Sequence, residues 1–409
     1  MGNFMTMGEF SIIQKIQLYC LVILAILSCL ALGNDDSTLA PRWIHGILTV
    51  FSYLSLLLLA YCTRYRFITK EIVIAVIALL SLFLLRNINV AYGSFPMGGF
   101  YDSVILLLFF FIDDNVKAKA LCLFRLFLLC ISVLGVICYF SFKLKIGLPY
   151  TLVPYYSEAG GFYVNYYFTY LLYDEPYLRL CGVFNEPGYF GTVLALMLVN
   201  NLNNIRLKGN IVMLIAGCLT MSMAFWVIIL IGVVLSSIKN IKALFISGSC
   251  MLILLITVNT VQFENKNITY LLGRFQIDNN TGKIKGNNRT SSSFDNIEKD
   301  FRQNGDKLFG FGNGYCNLKN IKKTSSIKKY FVEWGYLGVI LSYGLIMFAA
   351  LLRCKHNLSA YIYWFCFLVS IYQRPNIFTT AYFLLLFGGI IKLNQERNGS
   401  PAKVCGLIY

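Results

Sequence analysis

What this chain can fold into is set by its long apolar runs, among them Leu21 to Leu32, Ile44 to Ala60, Ile72 to Leu85, Leu121 to Phe140, Ala243 to Val261 and Tyr336 to Leu352. A helix crossing the hydrocarbon of a bilayer needs roughly 20 apolar residues. Runs of that kind begin near residues 16, 43, 71, 98, 120, 188, 210, 223, 243, 330, 358 and 376, which predicts about twelve spans. The stretch around Ile211 to Ser237 reads either as two of these spans or as one long helix. With 57% hydrophobic and 13% charged residues, the chain carries more apolar side chains than one water-soluble core buries. The expected fold class is an all-α integral membrane protein of about twelve transmembrane helices with two long external loops.

The first run lacks a small-residue cleavage site and further runs follow at once, so it reads as an anchor rather than a removable signal. Lys and Arg collect in cytoplasmic loops. Arg64, Arg66 and Lys70, then Lys117 and Lys119, Arg206 and Lys208, Lys239 and Lys242, and Arg353 and Lys355 occupy alternate short loops. Both termini are therefore expected in the cytoplasm. The chain divides into membrane helices over 1–140 (about five spans), a first long loop over 141–187, membrane helices over 188–261 (about four), a large basic loop over 262–329, membrane helices over 330–392 (about three) and a cytoplasmic tail over 393–409.

The loop 262–329 holds thirteen Lys/Arg against six Asp/Glu, a cationic surface beside a membrane that suits anionic ligands such as lipid phosphate, pyrophosphate or acidic glycan. For the Lys322, Lys323, Lys328, Lys329 cluster a solvated linker is an equal reading. Nucleic acid is not an expected partner on that side. Within the loop, Ser292-x-x-Asp295 looks like a helix N-cap, and Phe294, Ile297 and Phe301 share one helical face, expected to pack on the protein or the interface. Gly310, Gly312 and Gly314 form a turn whose backbone can approach a phosphate closely.

The first loop ends with Arg179 and Glu186 where polar sequence meets an apolar run, and ionisable groups in such places are site candidates when they are not simply paired with each other or with headgroups. Glu333 opens a later run, with capping of its own helix as its structural alternative, and Arg374 sits in a short turn. With Arg289 these charges fall on the external side, where arginine binds phosphate oxygens in pairs. The tyrosines Tyr155, Tyr156, Tyr163, Tyr166 and Tyr167 suit sugar stacking or, preferably, an interfacial aromatic belt. The chain has two histidines, His45 and His356, neither in an external loop, which argues against metal chemistry and against a Ser-His-Asp hydrolase. Thirteen cysteines fall mostly in apolar runs, where thiols pack as small hydrophobes, and a bridge between Cys181 and Cys316 is the less favoured alternative.

Three segments together resemble the bacterial O-antigen polymerase (Wzy-type) and O-antigen ligase superfamily: Arg179 to Gly191, Arg289 with the following helix and Leu308 to Tyr315, and Glu333 to Gly338. Ligases of that superfamily carry a His-Asn pair about eight residues before the Glu, where this chain has Thr324-Ser325, so the polymerase branch is favoured. The resemblance implies a glycosyltransferase-C-like polytopic architecture in the bacterial inner membrane, with the long loops periplasmic. It implies metal-independent transfer of a growing glycan from undecaprenyl pyrophosphate to a lipid-linked repeat unit, without a cofactor. Arg179 and Arg289 would take the pyrophosphate, Arg274 and Arg374 would assist, and Glu186 or Glu333 would act as base or orienting group. Membrane lipids, a chain-length regulator and a flippase are the expected partners. A lipid-linked oligosaccharide flippase and an O-antigen ligase are the alternative functions.

Overall fold

A computed structural model describes residues 10–30, 42–63, 69–87, 90–91, 97–154, 161–174, 177–202, 208–240, 291–321, 326–375 and 377–398, with a few single positions between 242 and 276. The described chain is mostly helical. Two helices, Asp114–Lys143 and Lys328–Leu352, are long and apolar enough to cross a membrane, and shorter apolar helices accompany them. This is compatible with a membrane protein, and outward-facing apolar stripes agree with it. On the helix Lys70–Asn87, Val73, Ile77, Leu80 and Leu84 recur at helical spacing and are all exposed. Phe365, Leu368 and Tyr372 do the same on the helix Leu358–Gln373. Surface of this kind is unfavourable in water and neutral in lipid.

The chain forms two compact units. One contains Met1–Ala25, Ser55–Ala120 and Asn287–Cys405, and the other Ile26–Leu54 and Leu121–Gly286. The helices α1 (Ile12–Leu27), α2 (Arg42–Cys62) and α5 (Asp114–Lys143) run through both.

In the first unit, α3 (Lys70–Asn87) packs against α4 (Met97–Phe111) and against α11 (Lys328–Val339), which continues through a π-helical turn into α12 (Leu345–Leu352). The helices α13 (Leu358–Gln373), α14 (Thr380–Phe383) and, after a second π-helical turn, α15 (Gly389–Arg397) complete it. Phe109, Phe110, Phe383 and Phe387 pack edge-on and tilted, with centroids 5.0 to 6.1 Å apart, between α4 and the π turn after α14. Segments that the charge alternation assigns to one side do meet. At the Arg353 end of α12, Arg353 donates to both oxygens of Asp114 (2.7 and 2.9 Å), and Lys117 lies 3.3 Å from the same carboxylate. There Gln395 also donates to Asn115 and Asn357 to the Leu393 carbonyl. At the other end of the same helical segment, before its break at Gly335, Trp334 Nε1 donates to Asn313 Oδ1 (3.1 Å) and Asn313 Nδ2 to the Arg86 carbonyl (3.3 Å). Tyr343 gives its hydroxyl to the Pro375 carbonyl (2.8 Å).

In the second unit the first long loop is not a loop, and the chain is not all-α. Four strands form an antiparallel sheet in the order β1-β2-β3-β4: β1 (Thr151–Pro154), β2 (Phe162–Asn165), β3 (Tyr170–Asp174) and β4 (Tyr177–Gly182). The reason is local: short tyrosine-, valine- and leucine-rich segments suit a pleated, half-buried surface. Tyr163, Leu172 and Cys181 form its core, with Val153 and Tyr170 against them. Tyr163 and Tyr166 are thus buried within the fold rather than in an aromatic belt, Tyr167 is exposed, and Tyr155 and Tyr156 lie outside the described residues. The helices α6 (Pro187–Val199), α7 (Lys208–Leu219) and α8 (Met223–Ser236) follow, so the run 211–237 is two helices joined by a turn at Thr220–Ser222. Cys181 and Cys316 are free buried thiols, whereas Cys122 is disulfide-bonded and does not serve simply as a packing residue.

Candidate functional site

The residues singled out in the sequence fall into two constellations, one in each unit. In the second unit β4 carries Arg179 opposite Leu172 of β3. The strand ends at Gly182, and the chain turns through Phe184 and Asn185, whose carbonyl accepts the Tyr163 hydroxyl at 2.6 Å. It then enters α6 at Pro187, a residue suited to the first helical position. Glu186 precedes the helix in extended conformation, its carbonyl taking the Tyr189 and Phe190 amides while its carboxylate makes no capping hydrogen bond. Beyond it α6 is almost entirely buried and packs on α7 and α8.

Arg179 is half-buried. Its Nε donates to the Thr220 carbonyl at 3.1 Å, in the turn that ends α7. A cation is favoured at such a helix C-terminus, which fixes the guanidinium through one edge. Among the described residues this is its one hydrogen bond, and the two terminal amino groups have no partner there. Cys181 lies close enough to sense both Arg179 and Glu186. Burial pushes its thiol well up, the Arg179 charge opposes that and the Glu186 charge adds to it. Arginine and carboxylate therefore share one neighbourhood at the entrance to a buried helix. The arrangement can hold an anion on the free edge of the guanidinium, with a carboxylate nearby to orient or accept a proton.

In the first unit the glycine turn and Glu333 meet, in a way the sequence did not predict. Gly335 has φ 66° and ψ −179°, a conformation that breaks α11 and that only glycine adopts readily. The strand-like break pairs with the glycine turn: Phe311 N donates to the Val332 carbonyl (2.9 Å), Gly312 N to the Glu333 carbonyl (2.9 Å), and Tyr336 N to the Lys307 carbonyl (2.8 Å). A Cβ on Gly310 would stand 2.5 Å from the Gly335 nitrogen. The close backbone approach expected for a phosphate is thus made to the protein's own helix. Glu333 does not cap its own helix, which begins at Lys328. It is buried, one carboxylate oxygen accepts the Cys316 amide at 3.1 Å, and the Gly314 amide also faces it. Irregular backbone inside a long apolar helix is tolerated where such partners satisfy it.

The amphipathic helix of the basic loop is α9 (Ser292–Asn304). Its N-cap is Ser291, one residue earlier than expected, whose Oγ accepts the Phe294 amide. Phe294 and Phe301 are buried against Cys316 and Val332, so the stripe packs on the protein. Two buried phenylalanines contribute roughly 2–3 kcal/mol each. A short helix α10 (Tyr315–Leu318) completes this cap over α11. Burial, with the Glu333 charge, pushes the Cys316 thiol up to about 12.

Arg374 ends α13, where its amide donates to the Ser370 carbonyl, and the following Pro375 carbonyl takes the Tyr343 hydroxyl. Arg274 and Arg289 lie outside the described residues. Arg125, buried in α5 and donating to Asn210 Oδ1 at 3.0 Å, was not singled out in the sequence, and neither was Arg86, in the last turn of α3. The signal for Arg86 was available, because it is a cation at the end of an apolar run opposite the basic end at Lys70. Among the described residues no group of three or more His, Cys, Asp or Glu is placed to hold a metal ion. The chain matches no family model, no curated protein and no solved structure.

Proposed function

We propose that this protein is a membrane-embedded polysaccharide polymerase that moves a growing glycan from undecaprenyl pyrophosphate onto a hydroxyl of a lipid-linked repeat unit, at the outer face of the bacterial inner membrane. In that step the bond from the anomeric carbon to the pyrophosphate oxygen breaks. A bond from the same carbon to the acceptor oxygen forms, and the hydroxyl proton leaves to a base. Pyrophosphate is a competent leaving group, so the protein's task is to position two substrates and stabilise the charge that develops.

The observation that carries this reading is the half-buried guanidinium of Arg179, tied down among the described residues through Nε to the Thr220 carbonyl, with the Glu186 charge felt at the same Cys181. In this reading Arg179 holds the pyrophosphate, with Arg289, Arg274 and Arg374 as further cations. Glu186 is the base or orienting group. Glu333, whose carboxylate is engaged by backbone amides, anchors the glycine turn. Membrane lipid surrounds the apolar helices, and a chain-length regulator and a flippase of the same pathway are partners.

The test is the surface-polysaccharide profile of cells lacking this gene, restored with wild type, Arg179→Gln or Arg289→Ala. Single repeat units on their acceptor in the deletion, with a polymer ladder returned by wild type and not by Arg179→Gln, are expected. Lipid-linked units retained on the cytoplasmic face would instead make the protein a flippase. An unchanged profile would remove it from this chemistry.

A further inference from the structure

Several cations of the first unit are paired with carboxylates. Lys117 and Arg353 share Asp114, Lys328 takes Glu298 at 2.8 Å, and Lys392 takes Glu396 at 3.3 Å. Arg86 is half-buried at the end of an apolar helix, yet among the described residues its guanidinium has no carboxylate and no hydrogen-bond acceptor. It lies over the Phe378 ring, whose centroid is 6.0 Å away, and close enough to Tyr343 for its charge to be felt there. An unpaired, partly desolvated cation at a membrane boundary is costly unless a ligand completes it. Complementing the C-terminal dipole of α3 would offset only a fraction of that cost, and a lysine would serve as well.

The surroundings are built. Asn313 holds the Arg86 carbonyl and is itself held by Trp334 Nε1, while Ala91 N donates to the Asn313 carbonyl at 2.9 Å. A Cβ on Gly338 would stand 3.1 Å from the Leu85 side chain, so the glycine lets α3 lie close to α11 just below Arg86. Tyr330, Trp334 and Tyr343 pack as an aromatic group with centroids 4.4 to 6.3 Å apart, and Tyr343 faces both Arg86 and the Tyr330 hydroxyl. Tyr343 reaches to Pro375, next to Arg374, which brings a second arginine to the same end of the unit. The exposed apolar stripe of α3 runs up to this helix end and offers surface for a lipid tail.

We propose that Arg86, beside Phe378 and Tyr343, is a second phosphate position of the protein and takes the phosphate of an isoprenoid lipid. The inference rests on the polymerase reading in one respect. That reaction uses two lipid-linked substrates, each with its own pyrophosphate, and therefore needs two such positions. Arg179 supplies one in one unit and Arg86 supplies the other in the other unit. The guanidinium binds phosphate oxygens in pairs, and the Phe378 ring covers part of it at 6.0 Å.

The full-length protein in phosphatidylcholine nanodiscs is titrated with undecaprenyl pyrophosphate, and bound lipid is counted by native mass spectrometry. Wild type, Arg86→Gln, Arg86→Lys and Arg179→Gln are compared after thermal melting shows each to be folded. Arg86→Gln is expected to lose one bound lipid, or about tenfold or more in affinity at one site, with Arg86→Lys intermediate. Adding Arg179→Gln should remove the remaining lipid. Wild-type stoichiometry and affinity in Arg86→Gln would overturn the proposal. So would equal displacement of the Arg86-dependent lipid by phosphatidylglycerol, which would make the site a bulk headgroup contact. Inorganic pyrophosphate competing at that site supports recognition of the phosphate itself. The polymer ladder in cells is read separately. A ladder that persists in Arg86→Gln with unaltered lipid binding removes this site and leaves the polymerase reading intact. Arg86-dependent binding in a protein whose deletion leaves polysaccharide unchanged removes the polymerase reading and leaves the site.

Discussion

Glu333 shows how one side chain can be given two roles by its chemistry and only one by its surroundings. A carboxylate in a basic external cavity is a credible base, but this one is spent on the Cys316 amide and lies buried beneath the glycine turn. If it anchors that turn, a residue that keeps an acceptor oxygen at the same place should keep the fold. Glu333→Gln is therefore expected to melt close to wild type and to sustain polymer. Glu333→Ala, which orphans buried amides, is expected to lose about 1–3 kcal/mol per unsatisfied group. Thermal melting in detergent with the polysaccharide profile alongside checks both. A Gln variant that melts like wild type and yields only single repeat units would return Glu333 to the reaction. That Arg179 and Glu186 both act on Cys181 was legible in part, because the three residues lie within one short stretch at the entrance to α6. The destination of Glu333 was not legible, because its partner lies 17 positions earlier in the chain and is a backbone amide, which sequence does not display.

At the scale of elements, α9 was readable almost to the residue, since a serine cap and phenylalanines at helical spacing are local signals. The sheet was not read. Its strands are four to six residues long, and their tyrosines suit an aromatic belt as well as they suit a pleat. Nor was the break at Gly335 foreseen, because glycine inside an apolar run is common and only the facing turn makes it a bend. The packing of α9 is closed by Glu298, which receives Lys328 at 2.8 Å and also Arg302. Burial raises the Glu298 carboxyl, but hydrogen bonds from Lys328 and Arg302, with their charges, outweigh it and hold the group below the ordinary glutamate range. A folded-state pKa below the unfolded one means a contribution present in full above the unfolded value, about 4.3, and lost as pH falls through the lower folded value. Arg302 is mostly exposed and adds little, so the effect belongs to the Lys328 pair. Wild type should melt above Glu298→Gln at pH 7, with the difference closing in acid below the ordinary glutamate range. A difference that survives there would mean that the carboxylate charge is not what fastens α9.

For the whole molecule, the sequence offered an alternation of basic and non-basic loops, and contacts within the first unit sort the same segments to the two ends of its longest helix. Arg353, Asp114, Lys117 and Gln395 gather at one end, and Arg86, Asn313, Trp334 and Pro375 at the other. Contacts do not distinguish inside from outside, whereas the charge rule does: Lys and Arg close to spans stay in the cytoplasm, and long loops translocate largely regardless of charge. The Arg353 end should therefore be cytoplasmic. The Arg86 end, with α9, should face outward, where lipid-linked glycan is polymerised in our reading. Single cysteines placed in a cysteine-free background decide the matter. Lys355→Cys should react with a membrane-impermeant maleimide only after permeabilisation, and Ser293→Cys should react in intact spheroplasts. The reverse pattern would set Arg86 and α9 facing the nucleotide-sugar pool. A polymerase drawing on exported repeat units would then be untenable, whatever the arginines bind.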